Sequence, residues 1–139
     1  MQSILNLFSY WDSALAVVLV LGGLIFFHEL GHFIAFRAFR VGVITFSIGM
    51  GPKLLGWKSK KYDTQFSLRL IPVGGFCAFY GEDDVEGKSK DDPRAYNKQN
   101  VWKRIFTVAM GPVMNFVLAF VVTVMFYWVG GISQVDRID

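Results

Sequence analysis

Two histidines and a glutamate stand at a spacing that serves metal-dependent hydrolysis: His28-Glu29-Leu30-Gly31-His32, the HExxH pattern. On a helix, side chains four apart share a face, so His28 and His32 can offer imidazole nitrogens to one ion. Glu29, on the adjacent face, can take a proton from water that the ion acidifies. Zinc suits this donor set, although other divalent ions also accept two histidines and a carboxylate. The chain of 139 residues holds 2 histidines, and both fall in this motif.

The motif sits in apolar surroundings. Ala14 to Phe36 reads ALAVVLVLGGLIFFHELGHFIAF, with Glu29 as its one formal charge. At about 1.5 Å per residue the stretch is roughly 34 Å long, enough to cross a hydrocarbon core of about 30 Å. An ionisable side chain inside such a span costs about 2.5–3.5 kcal/mol on insertion scales, so these three groups need compensation. A shared metal supplies it and also accounts for the spacing. The plainer alternative is that they pair with polar groups of neighbouring helices, or meet water on an interfacial helix.

A second uncharged run, Ile105 to Val129 (IFTVAMGPVMNFVLAFVVTVMFYWV), is roughly 37 Å long by the same arithmetic. The expected fold is therefore an α-helical membrane protein: two transmembrane helices with a small membrane-associated, re-entrant β-sheet between them. Composition agrees, with 53% hydrophobic residues, 17% aromatics and a mean hydropathy of +0.41. The first span reads as retained rather than cleaved, since no Lys or Arg precedes it and no small-residue cleavage site follows. The formal charge of +3 is read as a sign of membrane orientation rather than of nucleic-acid binding, because the cations are confined to one segment between two apolar runs. All of them but Arg137 lie between the spans. By the positive-inside rule loop 37–104 is cytoplasmic and both termini lie across the membrane. The lone Cys77 cannot form an internal disulfide and is expected to be a small buried side chain.

The expected organisation is an N-terminal segment (1–13), a first span with the motif (14–37), a membrane-associated β-hairpin region (38–80), a solvated connector with an interfacial lead-in (81–104), a second span (105–129) and a tail (130–139). The β assignment rests on alternation in Thr64-Gln65-Phe66-Ser67-Leu68-Arg69-Leu70 and on glycines and prolines such as Gly49, Gly51, Pro52 and Gly74. Such backbone enters a membrane only where its polar groups are paired or face protein and water. His28 lies about 21 Å into the first span and His32 about 7 Å before Arg37, which places the chemistry inside the membrane near the loop side. Water must reach it through a hydrophilic opening, and the Gly-rich β segment is the candidate lining. Gly31 either lets a neighbouring backbone approach closely or is an ordinary membrane-helix glycine.

Three residues of the second span are candidates for site support. Gly111-Pro112 is expected to kink or locally open the helix, and Asn115 is a hydrogen-bonding group at membrane depth. Together they can bring a polar group to the active site or to substrate backbone, or Asn115 can serve as interhelical glue.

The residues also carry a resemblance. FFHELGHFIAFR (26–37), FSIGMGPKLL (46–55), FSLRLIPVGGF (66–76), DDPRAYN (91–97), VWKR (101–104) and GPVMNFVLAF (111–120), in this order over nearly the whole chain, resemble the site-2 protease family of intramembrane zinc metalloproteases. The likeness is greatest to its bacterial regulator of sigma-E protease branch. The resemblance implies Zn²⁺ held by His28 and His32, Glu29 as catalytic base, Asn115 near the substrate, and a β segment that presents substrate as an extended strand. It implies residence in the bacterial inner membrane. The implied partners are the lipid bilayer and single-pass membrane proteins, such as anti-sigma factors or remnant signal peptides. The family's third ligand, an aspartate in an Asp-Gly motif on a later helix beyond PDZ domains, has no match here. Asp136 and Asp139 are expected across the membrane from His32, and Asp83, Asp84, Asp91 and Asp92 in water. The chain thus reads as part of a protein. Two other readings remain: a truncated, catalytically incompetent membrane module that keeps the fold, and a transporter or proton-relay fragment, which leaves the HExxH spacing unexplained.

Overall fold

The computed structural model of the protein describes residues 2–81 and 91–135. Residues 82–90 of the expected connector, with Asp83 and Asp84, and residues 136–139 of the tail, with Asp136 and Asp139, lie outside the described residues. Helix α1 covers Gln2–Ala38 and helix α2 covers Val101–Val135. Between them come strand β1 (Val43–Ser59), strand β2 (Thr64–Phe79) and a 3-10 turn at Tyr96–Lys98. Within the helices, Trp11–Ala38 (28 residues) and Val101–Gly130 (30 residues) are long and apolar enough to cross a membrane. They are also bare within the chain, with Phe116 77% and Val129 79% exposed. Side chains of that kind gain by facing lipid or protein rather than water.

Both helices outrun the apolar spans. Residues of the expected N-terminal segment continue α1 from Gln2, and Val101 to Arg104 already form the first turn of α2. Asn100 starts that turn: its Oδ1 accepts the Trp102 amide at 3.0 Å and its carbonyl accepts the Arg104 amide at 3.2 Å, satisfying donors that open a helix. At the other junction α1 ends in a Schellman arrangement, with Val41 N–H on Phe36 O at 2.8 Å and Arg40 N–H on Arg37 O at 3.3 Å. Arg40 takes the left-handed position at φ 61° that glycine usually fills, which costs a residue with a Cβ about 1–2 kcal/mol.

The sheet has two strands paired antiparallel, each folded upon itself. The first half of β1 has two rows of partners, Thr45 to Ile48 facing Ala78 to Gly75 and also Gln65 to Leu68, while Leu55 to Ser59 face Leu68 to Thr64. The strands turn back at Gly49 (φ 83°), Gly51 (φ 84°) and Gly74 (φ 83°), backbone angles that strongly favour glycine. The second bend reaches deep along α1. A Cβ on Gly22 would collide with the carbonyl oxygen of Pro72, so the bend touches α1 about 24 Å from its loop-side end. Around it a polar set is satisfied internally: Ser67 Oγ donates to Ser47 Oγ at 3.0 Å, and Arg69 donates to Ser47 Oγ at 2.9 Å and to the Gly51 carbonyl at 2.8 Å. Outward, Met50, Leu55, Leu70 and Ile71 are exposed. Folding the strands back pairs Thr45 to Ile48 and Gln65 to Leu68 on both sides and leaves Leu55 to Ser59 and Gly75 to Ala78 as the edges, so most of the backbone that would meet an apolar phase is paired.

The core gathers where α1 meets the sheet: Phe36, Val41, Val43, Phe46, Cys77 and Tyr96 are buried together. Tyr96 and Ala95 belong to the stretch expected as a solvated connector, and here the expectation does not hold, since Ala95 is 0% and Tyr96 8% exposed. The ring of Tyr96 packs on Phe36 and Phe79 at centroid separations of 5.9 and 5.0 Å, and its amide donates to the Tyr80 carbonyl at 2.8 Å. A single aromatic in a polar run carries no periodicity, so the anchor is invisible to pattern reading.

Candidate metal centre

Helix geometry puts His28, Gly31 and His32 on one face of α1 and Thr107, Gly111 and Asn115, spaced by four, on one face of α2. The structure sets these faces against each other, running in opposite directions. The helices come close because each offers a glycine. A Cβ on Gly31 would clash with the Met110 carbonyl oxygen and lie 2.8 Å from Met114 Cγ, so the close-approach reading of Gly31 is the one observed. Gly111 is buried, and a Cβ there would lie 2.6 Å from Nε2 of both His28 and His32. The two Nε2 atoms therefore converge on one space beside the Gly111 backbone, with ring centroids 4.9 Å apart.

The far nitrogens are held by α2. His32 Nδ1–H donates to the Thr107 carbonyl at 2.9 Å, which leaves the Nε2 lone pair for a ligand. His28 Nδ1 lies 3.4 Å from the Asn115 side-chain amide. With His28 binding a metal through Nε2, its Nδ1 carries the proton and donates. The acceptor is at hand, because Asn115 Oδ1 is buried with no hydrogen-bond partner, and a half-turn of the amide brings it to Nδ1. An orphaned buried acceptor is what a site looks like whose donor appears when the imidazole is fixed as a ligand. The residues present thus fit a metal held by two imidazoles.

Helix α2 runs unbroken through Pro112, which lacks the N–H that would bond the Val108 carbonyl. Glu29 is half-buried and has no ion-pair or hydrogen-bond partner among the described residues, and Gly75 of β2 passes so close that a Cβ there would lie 3.8 Å from Glu29 Cγ. Two cavities flank the histidines. One of about 330 Å³ is lined by His32, Thr107, Tyr96 and Arg104 and lies toward the loop. The other, of about 280 Å³, is lined by Leu24, Ile25, His28 and Asn115. Among the described residues no group of three or more His, Cys, Asp or Glu gathers to hold a metal, and Asp91 and Asp92 instead pair with Lys98 and Arg94.

The structure thus brings together His28, His32, Gly111 and Asn115, with Pro112 next to Gly111 on the backbone, while Glu29 stands beside Gly75 of β2. Sequence reading missed Thr107 and Gly75. Thr107 acts through its carbonyl, which no residue type reveals, although its place four before Gly111 and eight before Asn115 was a usable signal. Asn115→Ala is expected to weaken zinc binding about 10–100-fold, as loss of an outer partner of a ligating histidine does, with helicity unchanged. Zinc titration against a competing chelator, beside circular dichroism, measures it, and unchanged affinity would reduce Asn115 to a packing residue.

A helix-borne HExxH motif braced by a second long apolar helix is an arrangement able to hold a metal ion through two imidazoles. Comparison with known proteins narrows the reading: residues 16–137 match the description of peptidase family M50, and the chain belongs to that family. It is 46% identical over 111 residues to a protein of Clostridium acetobutylicum (80% of this chain, 31% of the relative). Similarity extends to proteins of Agrobacterium fabrum (35% identity, 87% of this chain, 34% of the relative) and Campylobacter jejuni (41%, 84% and 32%). All three are named as candidate zinc metalloproteases. The chain spans about a third of the length of these relatives.

Proposed function

We propose that this chain carries the histidine-bearing part of the catalytic centre of an intramembrane zinc metalloendopeptidase of the site-2 type. The observation that carries the reading is the convergence of both Nε2 atoms beside Gly111, with His32 Nδ1 on Thr107 O and His28 Nδ1 beside Asn115. His28 and His32 would hold zinc, and a carboxylate outside the described residues would complete the three protein ligands such a site takes. When bound, zinc supplies Lewis acidity that acidifies water and polarises a peptide carbonyl. Glu29, free of competing partners, takes the proton from water and returns it to the leaving amine. Thr107 and Asn115 keep the imidazoles turned toward the metal.

The loop-side cavity at His32 is the route for water. Gly75, beside Glu29, places an edge of β2 where an extended substrate strand can add to the sheet with its scissile bond near the carboxylate. The substrates are single-pass membrane proteins, among them anti-sigma factors and remnant signal peptides. The enzyme sits in a bacterial inner membrane with loop 37–104 cytoplasmic, following its cation distribution. Metal analysis tests the centre: the detergent-purified protein is expected to bind zinc, and His28→Ala and His32→Ala each to lose it. Equal zinc in the wild type and both variants would overturn the assignment.

A further inference from the structure

At the loop-side end of α1 a concavity of about 290 Å³ is bordered by Arg37, Arg40, Lys60, Lys61, Asp63 and Arg94. Its one acid, Asp63, is engaged with Lys58 at 2.8 Å, and Arg94 is engaged with Asp92 at 2.9 Å. Arg40 and Lys60 have no carboxylate partner among the described residues. Tyr62 also lines the space, with the Arg37 guanidinium 3.6 Å and the Lys61 ammonium 5.2 Å from its ring centroid. Lys61 first, and Arg37 after it, hold the Tyr62 phenol below its ordinary pKa, a sign of local positive potential.

Backbone strain points to the same spot. Among the described residues, Arg40 (φ 61°) and Asp63 (φ 53°) are the non-glycine residues with positive φ, and both border this concavity. Aspartate tolerates that conformation, but arginine at the helix C′ position, where glycine is favoured, gains nothing locally from being there. It does place a cation at the mouth of the space. The helix C-terminus opposes an anion by about half a charge, and the cations exceed that. The carbonyls of Phe36 and Arg37 are moreover capped by backbone amides.

Exposed apolar side chains stand on the same two elements: Ile34 on α1, one turn before Arg37, is 43% exposed, and Trp57, three residues before Lys60 and stacked on Phe66, is 61% exposed. A ligand matched to both is a phosphate ester with hydrocarbon tails. We infer that this concavity binds the phosphate of an anionic phospholipid headgroup, with its acyl chains along Ile34 and Trp57, fixing the height of the hairpin in the membrane. The inference rests on the membrane-embedded reading of the helices and not on zinc chemistry.

Native mass spectrometry of the full chain in neutral detergent, with phosphatidylglycerol or phosphatidylcholine added, tests it. Phosphatidylglycerol is expected to be retained preferentially, with affinity falling about fivefold in each of Arg40→Gly and Lys60→Gln and unchanged in Lys53→Gln. Arg40→Gly is informative because it removes the strain with the charge and keeps the fold. Equal retention of the two lipids, or undiminished phosphatidylglycerol binding in Arg40→Gly and Lys60→Gln, would overturn the inference. So would complete displacement by an equal concentration of inorganic phosphate, which would assign the site to a free anion. Failure of the membrane reading looks different, since the chain would then enter vesicles of neither lipid.

Discussion

Glu29→Gln, in the protein that carries this chain, is expected to cut hydrolysis of a membrane-anchored substrate by a factor on the order of 10²–10⁴ while zinc content stays at the wild-type level. Glutamine has the shape of glutamate and cannot take a proton. The neighbours of Glu29 do not depend on its charge, because it makes no ion pair among the described residues and borders the backbone of Gly75. The two imidazoles keep their own supports on α2, so metal binding and turnover separate in this variant. Cleavage of a reporter in vesicles, with zinc measured on the same sample, is the check. Wild-type turnover would remove Glu29 from the reaction, and joint loss of zinc and turnover would make it a ligand instead of a base.

Gly111→Val is expected to abolish the metal centre, with zinc affinity falling on the order of 10²-fold or more, beyond the effect of losing one outer partner. The physical reason is position. A Cβ at Gly111 would lie 2.6 Å from Nε2 of each histidine, inside the space a metal needs, and the backbone at Met110 is already packed on Gly31. The helix cannot retreat without breaking the contact at Gly31, and the rings cannot turn away without losing Thr107 and Asn115. Zinc titration beside helicity measures this. Gly23→Ala is the matched control, since nothing lies within 4 Å of a Cβ there, and zinc binding is expected to persist. Normal zinc affinity in Gly111→Val would show that the histidines converge elsewhere.

Local pattern alone was enough to single out the candidate chemical groups and the segments that carry them. HExxH fixes which nitrogens share a helix face, because helical periodicity is local, and two apolar runs fix which segments suit a membrane, because length and transfer free energy are summed over neighbours. The alternation in Thr64 to Leu70 marked β structure for the same reason. Whatever depends on residues far apart in the chain emerged only in the folded molecule. Tertiary packing placed Thr107 O on His32 and Asn115 beside His28, turning two histidines on a helix into a convergent pair. It carried Tyr96, in a run with no apolar pattern, into the core. It folded β1 and β2 back on themselves so that Gly75 passes Glu29 and the Pro72 bend reaches Gly22. A backbone carbonyl, a glycine's missing side chain and a strand's bend carry no residue-type signature, and their effect exists only once a partner from elsewhere in the chain arrives.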